Sequence, residues 1–172
     1  MDAATTPVLI FDIDKTYINS TSTVLAGHVA DVAIYTISNI TLTVNGATST
    51  LDLTDAVFQA TLTLNEGDNN ISATVTDAFD NTGTNTTTII VDTVPPVISF
   101  SGAEDGQYYN RSVSVSANMA DEHPDTLTIL VNGNPYISGT PIIAEGTYTT
   151  DITARDLAGN TARQSLTFHI DM

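Results

Sequence analysis

One pattern of residues occurs twice in this sequence, and the repeat limits the possible folds more than any other feature. Residues 66–92 align without a gap to residues 145–171, at an offset of 79 (156 − 77) set by Asp77 and Asp156. Upstream matches are Val44-Asn45-Gly46 with Val131-Asn132-Gly133, and Pro7-Val8 with Pro96-Val97. The repeat predicts two copies of one module, domain 1 over residues 1–93 and domain 2 over residues 94–172.

Within each copy, apolar residues alternate with Thr, Ser and Asn over short stretches, which is typical of half-buried β-strands. The alternating sets are Leu25/Gly27/Val29, Ile40/Leu42/Val44 and Phe58/Ala60/Leu62 in the first copy, and Val113/Val115/Ala117, Leu127/Ile129/Val131 and Leu166/Phe168/Ile170 in the second. Asn45-Gly46 and Asn132-Gly133 follow apolar runs and predict tight hairpins. We expect an all-β fold of two tandem immunoglobulin-like antiparallel β-sandwiches, each with a full set of about seven strands.

The order of these motifs resembles a known family. It runs from Gly27-x-Val29-x-Asp31 through Val44-Asn45-Gly46 and the Asp77 turn to Val91-Asp92 and Pro95-Pro96-Val97-Ile98. This order is similar to bacterial immunoglobulin-like domains of the glucodextranase domain-B type, and the resemblance covers nearly the whole chain, twice. It implies tandem modules of surface proteins or accessory modules of secreted hydrolases, without shared catalytic residues.

Charge and composition exclude several classes of function. The chain has 20 acidic and 4 basic residues, a net charge of -16, which repels nucleic acid and anionic membrane surfaces. Cysteine is absent, so disulfides and thiolate metal sites are excluded. No apolar run reaches membrane-spanning length, and we expect no membrane insertion within this segment. Cations are the small partners that the charge favours.

The sequence contains no grouping of residues that predicts catalysis. His28, His123 and His169 fall at unrelated places, and no serine lies in a Gly-x-Ser-x-Gly elbow. The best-placed carboxylates recur at turn positions in both copies, which is typical of a module rather than of one active site. We therefore predict that the chain is not an enzyme and requires no cofactor.

The turns from Asp77 to Asn81 and from Asp156 to Asn160 allow two interpretations. Asp and Asn side chains accept hydrogen bonds from nearby backbone N–H groups, so each turn could be a capped hairpin. Carboxylates are also the ligands that Ca²⁺ prefers, so the same residues could belong to a calcium site.

Strand order in an immunoglobulin-like sandwich predicts that acidic loops of both copies meet where one domain follows the other. Clustered carboxylates repel one another unless a cation lies between them or water separates them. The possible interdomain calcium ligands are Glu66, Asp68, Asp92, Asp121, Glu122 and Asp156. The alternative is that these acidic loops are simply solvated.

Three functions fit these observations. The first is a non-catalytic spacer, stalk or adhesion module of a larger extracellular or cell-surface protein, whose partners are neighbouring modules and a surface glycan or protein. The second is an accessory carbohydrate-binding module, although the tyrosines are scattered and only Tyr108 and Tyr109 are adjacent. We expect that pair to pack near the loop between the first two strands of domain 2. The third is a surface filament subunit.

Overall fold

The computed structural model describes residues 6–30, 37–54 and 56–172, and Asp31 of the family pattern lies outside this part of the chain. The chain divides into two compact units, Met1–Thr93 and Val94–Met172. All the regular elements that the structure describes are β-strands, which confirms the predicted all-β fold. Each unit has its own pair of sheets and its own core.

The structure describes eight strands in unit 1. They are β1 (Val8–Phe11), β2 (Tyr17–Ile18), β3 (Ser22–Ala30), β4 (Ile37–Val44), β5 (Ala47–Thr50), β6 (Val57–Thr63), β7 (Gly67–Asp77) and β8 (Thr82–Val91). One sheet has the order β1-β3-β6 and the other the order β2-β8-β7-β4-β5. The short strand β2 runs parallel to β8, and the other pairs are antiparallel.

The core of unit 1 lies between these sheets and follows the predicted alternation. Leu25, Ile40, Ile71 and Val75 are buried, and Phe58 of β6 is its largest buried side chain. The polar residues between them face outward, where the hydroxyl groups of Thr74 and Thr84 bond across neighbouring strands. Burial of one face of β3, β4, β6 and β7 therefore fixes the register of the sheets.

Unit 2 repeats this topology with one difference. Its strands are β9 (Val97–Ser101), β10 (Tyr108–Tyr109), β11 (Ser116–Ala120), β12 (Pro124–Val131), β13 (Asn134–Pro135), β14 (Gly146–Asp156) and β15 (Thr161–Ile170). The sheets have the orders β11-β9 and β10-β15-β14-β12-β13, with β10 parallel to β15. The predicted number of about seven strands is confirmed, but among the described residues of unit 2 no regular strand takes the position of β6.

Residues 137–143 occupy that part of unit 2. They make one isolated bridge, between Val113 and Ile142, and Gly139 donates to the Val115 carbonyl at 2.8 Å. Pro141 has no backbone N–H to give to a ladder, and Gly139 has a positive φ of 82°. These two residues prevent a regular strand over the segment.

The aromatic centre of the core differs between the units as a result. Unit 2 is built around Phe168 of β15, which is fully buried between Tyr148, stacked at 5.6 Å between ring centroids, and Tyr109, edge-on at 6.1 Å. Unit 1 has Ile89 at the position of Phe168 and places its phenylalanine, Phe58, on β6. The two units thus share a fold, but the buried phenylalanine at the centre of each core comes from a different strand.

The predicted Asn-Gly hairpins are confirmed. Asn45 and Gly46 have φ values of 50° and 87°, and Asn132 and Gly133 have 49° and 78°, as a type I′ turn requires. The side chain of Asn45 also accepts the backbone N–H of Asn70 at 2.9 Å. In unit 2, Asn132 accepts the N–H of Thr149 at 2.8 Å.

Candidate functional site

The aspartate turn of unit 1 is held by its first residue. The Oδ1 atom of Asp77 accepts the backbone N–H groups of Phe79 at 2.8 Å and Asn81 at 2.9 Å, and Oδ2 accepts the side-chain amide of Asn81 at 2.9 Å. The Asn81 amide, together with these N–H groups, holds the pKa of Asp77 below its usual 3.8. The charged carboxylate is therefore an internal cap of the turn.

The turn of unit 2 has the same construction. Asp156 accepts the N–H groups of Gly159 at 2.6 Å and Asn160 at 2.8 Å on Oδ1, and the Asn160 amide at 2.7 Å on Oδ2. Asp156 is completely buried, so these bonds replace the water that its carboxylate would otherwise need. The capped-hairpin interpretation is confirmed in both units.

The other predicted calcium ligands are distributed over the two units. In unit 1, Glu66 accepts the backbone N–H of Thr93 at 2.9 Å and its hydroxyl at 3.0 Å with separate carboxylate oxygens. Asp92 follows the end of β8, where its N–H donates to the Ile18 carbonyl at 2.9 Å, and Asp68 is exposed on β7. Both carboxylate oxygens of Glu66 are therefore already hydrogen-bonded to Thr93 within unit 1.

In unit 2, Asp121 and Asp156 come together. One carboxylate oxygen of each lies within 4.8 Å of the other. Asp121 also accepts the backbone N–H of His123 at 2.8 Å, and Leu157 donates to the His123 carbonyl at 2.9 Å. Glu122 lies exposed in the same loop. The loop and the turn thus share one end of unit 2, but calcium binding by ligands from both copies stays a prediction.

The three histidines have separate environments. His28 on β3 bonds to the carboxylate of Asp12 at 3.1 Å, and both side chains are substantially exposed. His123 lies in the loop before β12. His169 on β15 bonds to the Thr147 hydroxyl at 2.9 Å and stacks on Tyr108 with centroids 4.2 Å apart. No arrangement of a nucleophile with an oriented base follows from these contacts within the part of the chain that the structure describes.

A groove in unit 2 is the feature that the sequence analysis missed. It has a volume of about 620 Å³ and lies along the segment that leads from β9 to β10. We call it the Phe100 groove, and its side chains that can contact a ligand are Phe100, Glu104, Asp105, Tyr109 and Arg111. The guanidinium of Arg111 lies over the ring of Tyr109, 5.5 Å from its centroid.

The adjacent residues Tyr108 and Tyr109 have different environments. Tyr108 is exposed, whereas Tyr109 packs on the core, and its hydroxyl accepts the backbone N–H of Glu104 at 2.9 Å. The expectation that the pair packs near the loop after the first strand of domain 2 is confirmed for Tyr109. Unit 1 has Ile18 at the position of Tyr109, and this difference between copies is a signal that could have revealed the groove.

Comparison with solved structures shows the immunoglobulin and fibronectin(III) type of fold. The fibronectin(III)-like modules of CbhA from Clostridium thermocellum are 15% identical over 95% of this chain and 94% of theirs, with a TM-score of 0.58. Murine CEACAM1b is 11% identical over 96% of this chain and 100% of its own, with a TM-score of 0.53. Immunoglobulin domains 1–5 of Sidekick-1 give a TM-score of 0.51 at 14% identity, over 95% of this chain and 39% of theirs.

These comparisons leave the narrower family open. No protein-family model matches the chain, and no curated protein matches its sequence. In the part of the chain that the structure describes, no helix could cross a membrane. The chain consists of two immunoglobulin-like β-sandwich modules in series.

Proposed function

We propose that this chain is a non-catalytic, load-bearing spacer in a larger secreted or cell-surface protein, built from modules of the glucodextranase domain-B type. The proposal is supported most by the pairing of the short strand near the start of each unit with its last strand. In unit 1, Tyr17 and Ile18 lie parallel to Ile90 and Val91. In unit 2, Tyr108 and Tyr109 lie parallel to His169 and Ile170.

Two neighbouring parallel strands resist a pulling force differently from the two antiparallel strands of a hairpin. When the ends of a unit are pulled apart, one strand of a parallel pair is drawn toward its start and the other toward its end. The bonds between them are then sheared together, whereas those of a hairpin open one after another. A parallel pair between the first and last parts of a module is therefore placed to carry tension along the chain.

Backbone hydrogen bonds join the chain at this position in each unit. Ile90 donates to Thr16 at 2.7 Å and Asp92 donates to Ile18 at 2.9 Å. In unit 2, His169 donates to Gln107 and Asp171 donates to Tyr109, both at 2.9 Å. The same arrangement recurs although the residues differ, which supports a mechanical role for the module.

Stretching single molecules of the full chain, held at its two ends, tests this function. We expect two separate unfolding events, one for each unit, each releasing about 25–35 nm of chain at roughly 3.5 Å per residue. Forced unfolding reports the barrier on the pulled path rather than the equilibrium stability. A chain that extends without force peaks would contradict a load-bearing role.

A further inference from the structure

We propose that the Phe100 groove of unit 2 binds a neutral saccharide. The first argument is the exposure of its aromatic ring. Phe100 is 38% exposed, although it lies on β9 opposite the buried Ala117 of β11. The corresponding Phe11 of unit 1 lies opposite Gly27 and packs against Phe58 at 6.3 Å between ring centroids.

The missing strand explains this difference between the copies. Phe58 belongs to β6, and unit 2 has no regular strand there; beside Ala117 it has Ser138, whose hydroxyl accepts the Ala117 N–H at 3.2 Å, in place of a second aromatic ring. One apolar ring is thereby left at the side of a concave surface. A sugar ring has an apolar face of C–H groups that such an aromatic ring can cover.

The charged side chains of the groove supply the polar contacts that a sugar needs. The carboxylates of Glu104 and Asp105 accept hydrogen bonds, and the guanidinium of Arg111 donates them. Sugar hydroxyls both donate and accept, so they can satisfy the two kinds of group side by side. The lining carries two negative charges and one positive charge, in a chain of net charge -16, which disfavours an anionic ligand.

The groove is also held in shape without a ligand. Asp105 accepts the N–H of Thr167 at 2.7 Å through Oδ1, and Gly106 donates to the Thr167 carbonyl at 2.6 Å. The bond from the Glu104 N–H to the Tyr109 hydroxyl fixes the same segment from the other side. A preformed surface loses less conformational entropy on binding, and about 620 Å³ falls within the size range of small-ligand sites.

Titration of the ¹⁵N-labelled full chain with neutral gluco- and manno-oligosaccharides tests the proposal by NMR. We expect saturable shifts confined to residues 100–111, with a dissociation constant of about 1 mM, the weak affinity expected of a small open site. Phe100→Ala and Arg111→Met should each weaken binding at least about tenfold. Arg111 is exposed, so its variant keeps the fold even if that of Phe100 does not.

Tyr108→Ala is the matched control, since Tyr108 is an exposed ring next to Tyr109 but outside the groove. Its affinity should equal that of the wild type. Absence of saturable shifts with every neutral sugar would overturn the proposal, as would unchanged binding in both groove variants. Stronger binding of a uronic-acid oligosaccharide or of a lysine-rich peptide would overturn the ligand class. The load-bearing role does not depend on any of these results.

Discussion

The ring of Phe58 stands edge-on to the ring of Phe11, with centroids 6.3 Å apart and planes at 76°. This contact needs Gly27, because a Cβ atom at that position would lie 2.4 Å from Cζ of Phe58 and 2.5 Å from the Ile10 carbonyl oxygen. The position is a glycine in the copy that has Phe58 and an alanine, Ala117, in the copy that lacks it.

Gly27→Ala should destabilise unit 1 by about 1–3 kcal/mol, since the added methyl group meets both a buried ring and rigid backbone. Urea unfolding of the full chain, followed for each unit by resolved NMR signals, measures the effect. Signals of unit 2 serve as the internal control and should not change. Equal stability of the variant and the wild type would mean that the sheets of unit 1 are packed more loosely than we describe.

Thr150→Val should stabilise unit 2 by about 1 kcal/mol. The hydroxyl of Thr150 is fully buried and has no hydrogen-bond partner among the described residues, and valine has nearly the same shape without the polar atom. Thr153→Val on the same strand is the control, because Thr153 is only half-buried and should change stability by less than about 0.5 kcal/mol. A loss of stability in Thr150→Val would show that this hydroxyl does form a bond.

Asp77 should make the stability of unit 1 depend on pH. Because its pKa is lowered from 3.8 in the folded unit, its contribution is present above 3.8 and is lost as the pH falls through the lower folded value. We expect Asp77→Ala to melt below the wild type at neutral pH, and the difference in melting temperature to narrow as the pH falls below 3.8. Asp52→Ala changes an exposed aspartate outside the strands and is the control. A constant gap at every pH would contradict the capping role of the charge.

Calcium binding at the predicted interdomain site should raise the melting temperature of the full chain. Asp121 and Asp156 lie within 4.8 Å in unit 2, and a cation would relieve their repulsion. We expect weak binding, at about 10⁻⁴–10⁻³ M, so millimolar CaCl₂ should stabilise the chain relative to EDTA. Asp121→Asn and Asp92→Asn should each reduce the shift, and Asp52→Asn should not. The same melting temperature in CaCl₂ and EDTA would contradict calcium binding by these carboxylates.

Local features of this fold follow from the sequence because they depend on neighbouring residues. The Asn45-Gly46 hairpin needs two residues that tolerate positive φ, and the Asp77 turn needs an acceptor four residues before Asn81. Both are visible as short motifs. The repeat then extends each local prediction to the second copy, where the structure shows the same geometry.

The groove and the lost strand could not be found in the same way. Residues 137–143 include Ile142 and Ile143, so their composition alone resembles a strand, and only Gly139 and Pro141 argue against one. Phe100 is exposed where Phe11 is covered by Phe58, because residues 137–143 of unit 2 contain no aromatic residue. Such packing joins residues that are far apart in the sequence, so the alternation of polar and apolar residues does not predict it.

The parallel strand pair in unit 2 offers the most direct test of the load-bearing role. His169→Pro removes the N–H that donates to Gln107 at 2.9 Å, and His169→Ala removes the same side chain but keeps that N–H. In single-molecule stretching of the full chain, we predict a lower unfolding force for unit 2 in His169→Pro than in His169→Ala, with unit 1 unchanged in both. Equal forces for the two variants would contradict the claim that this strand pair carries the load.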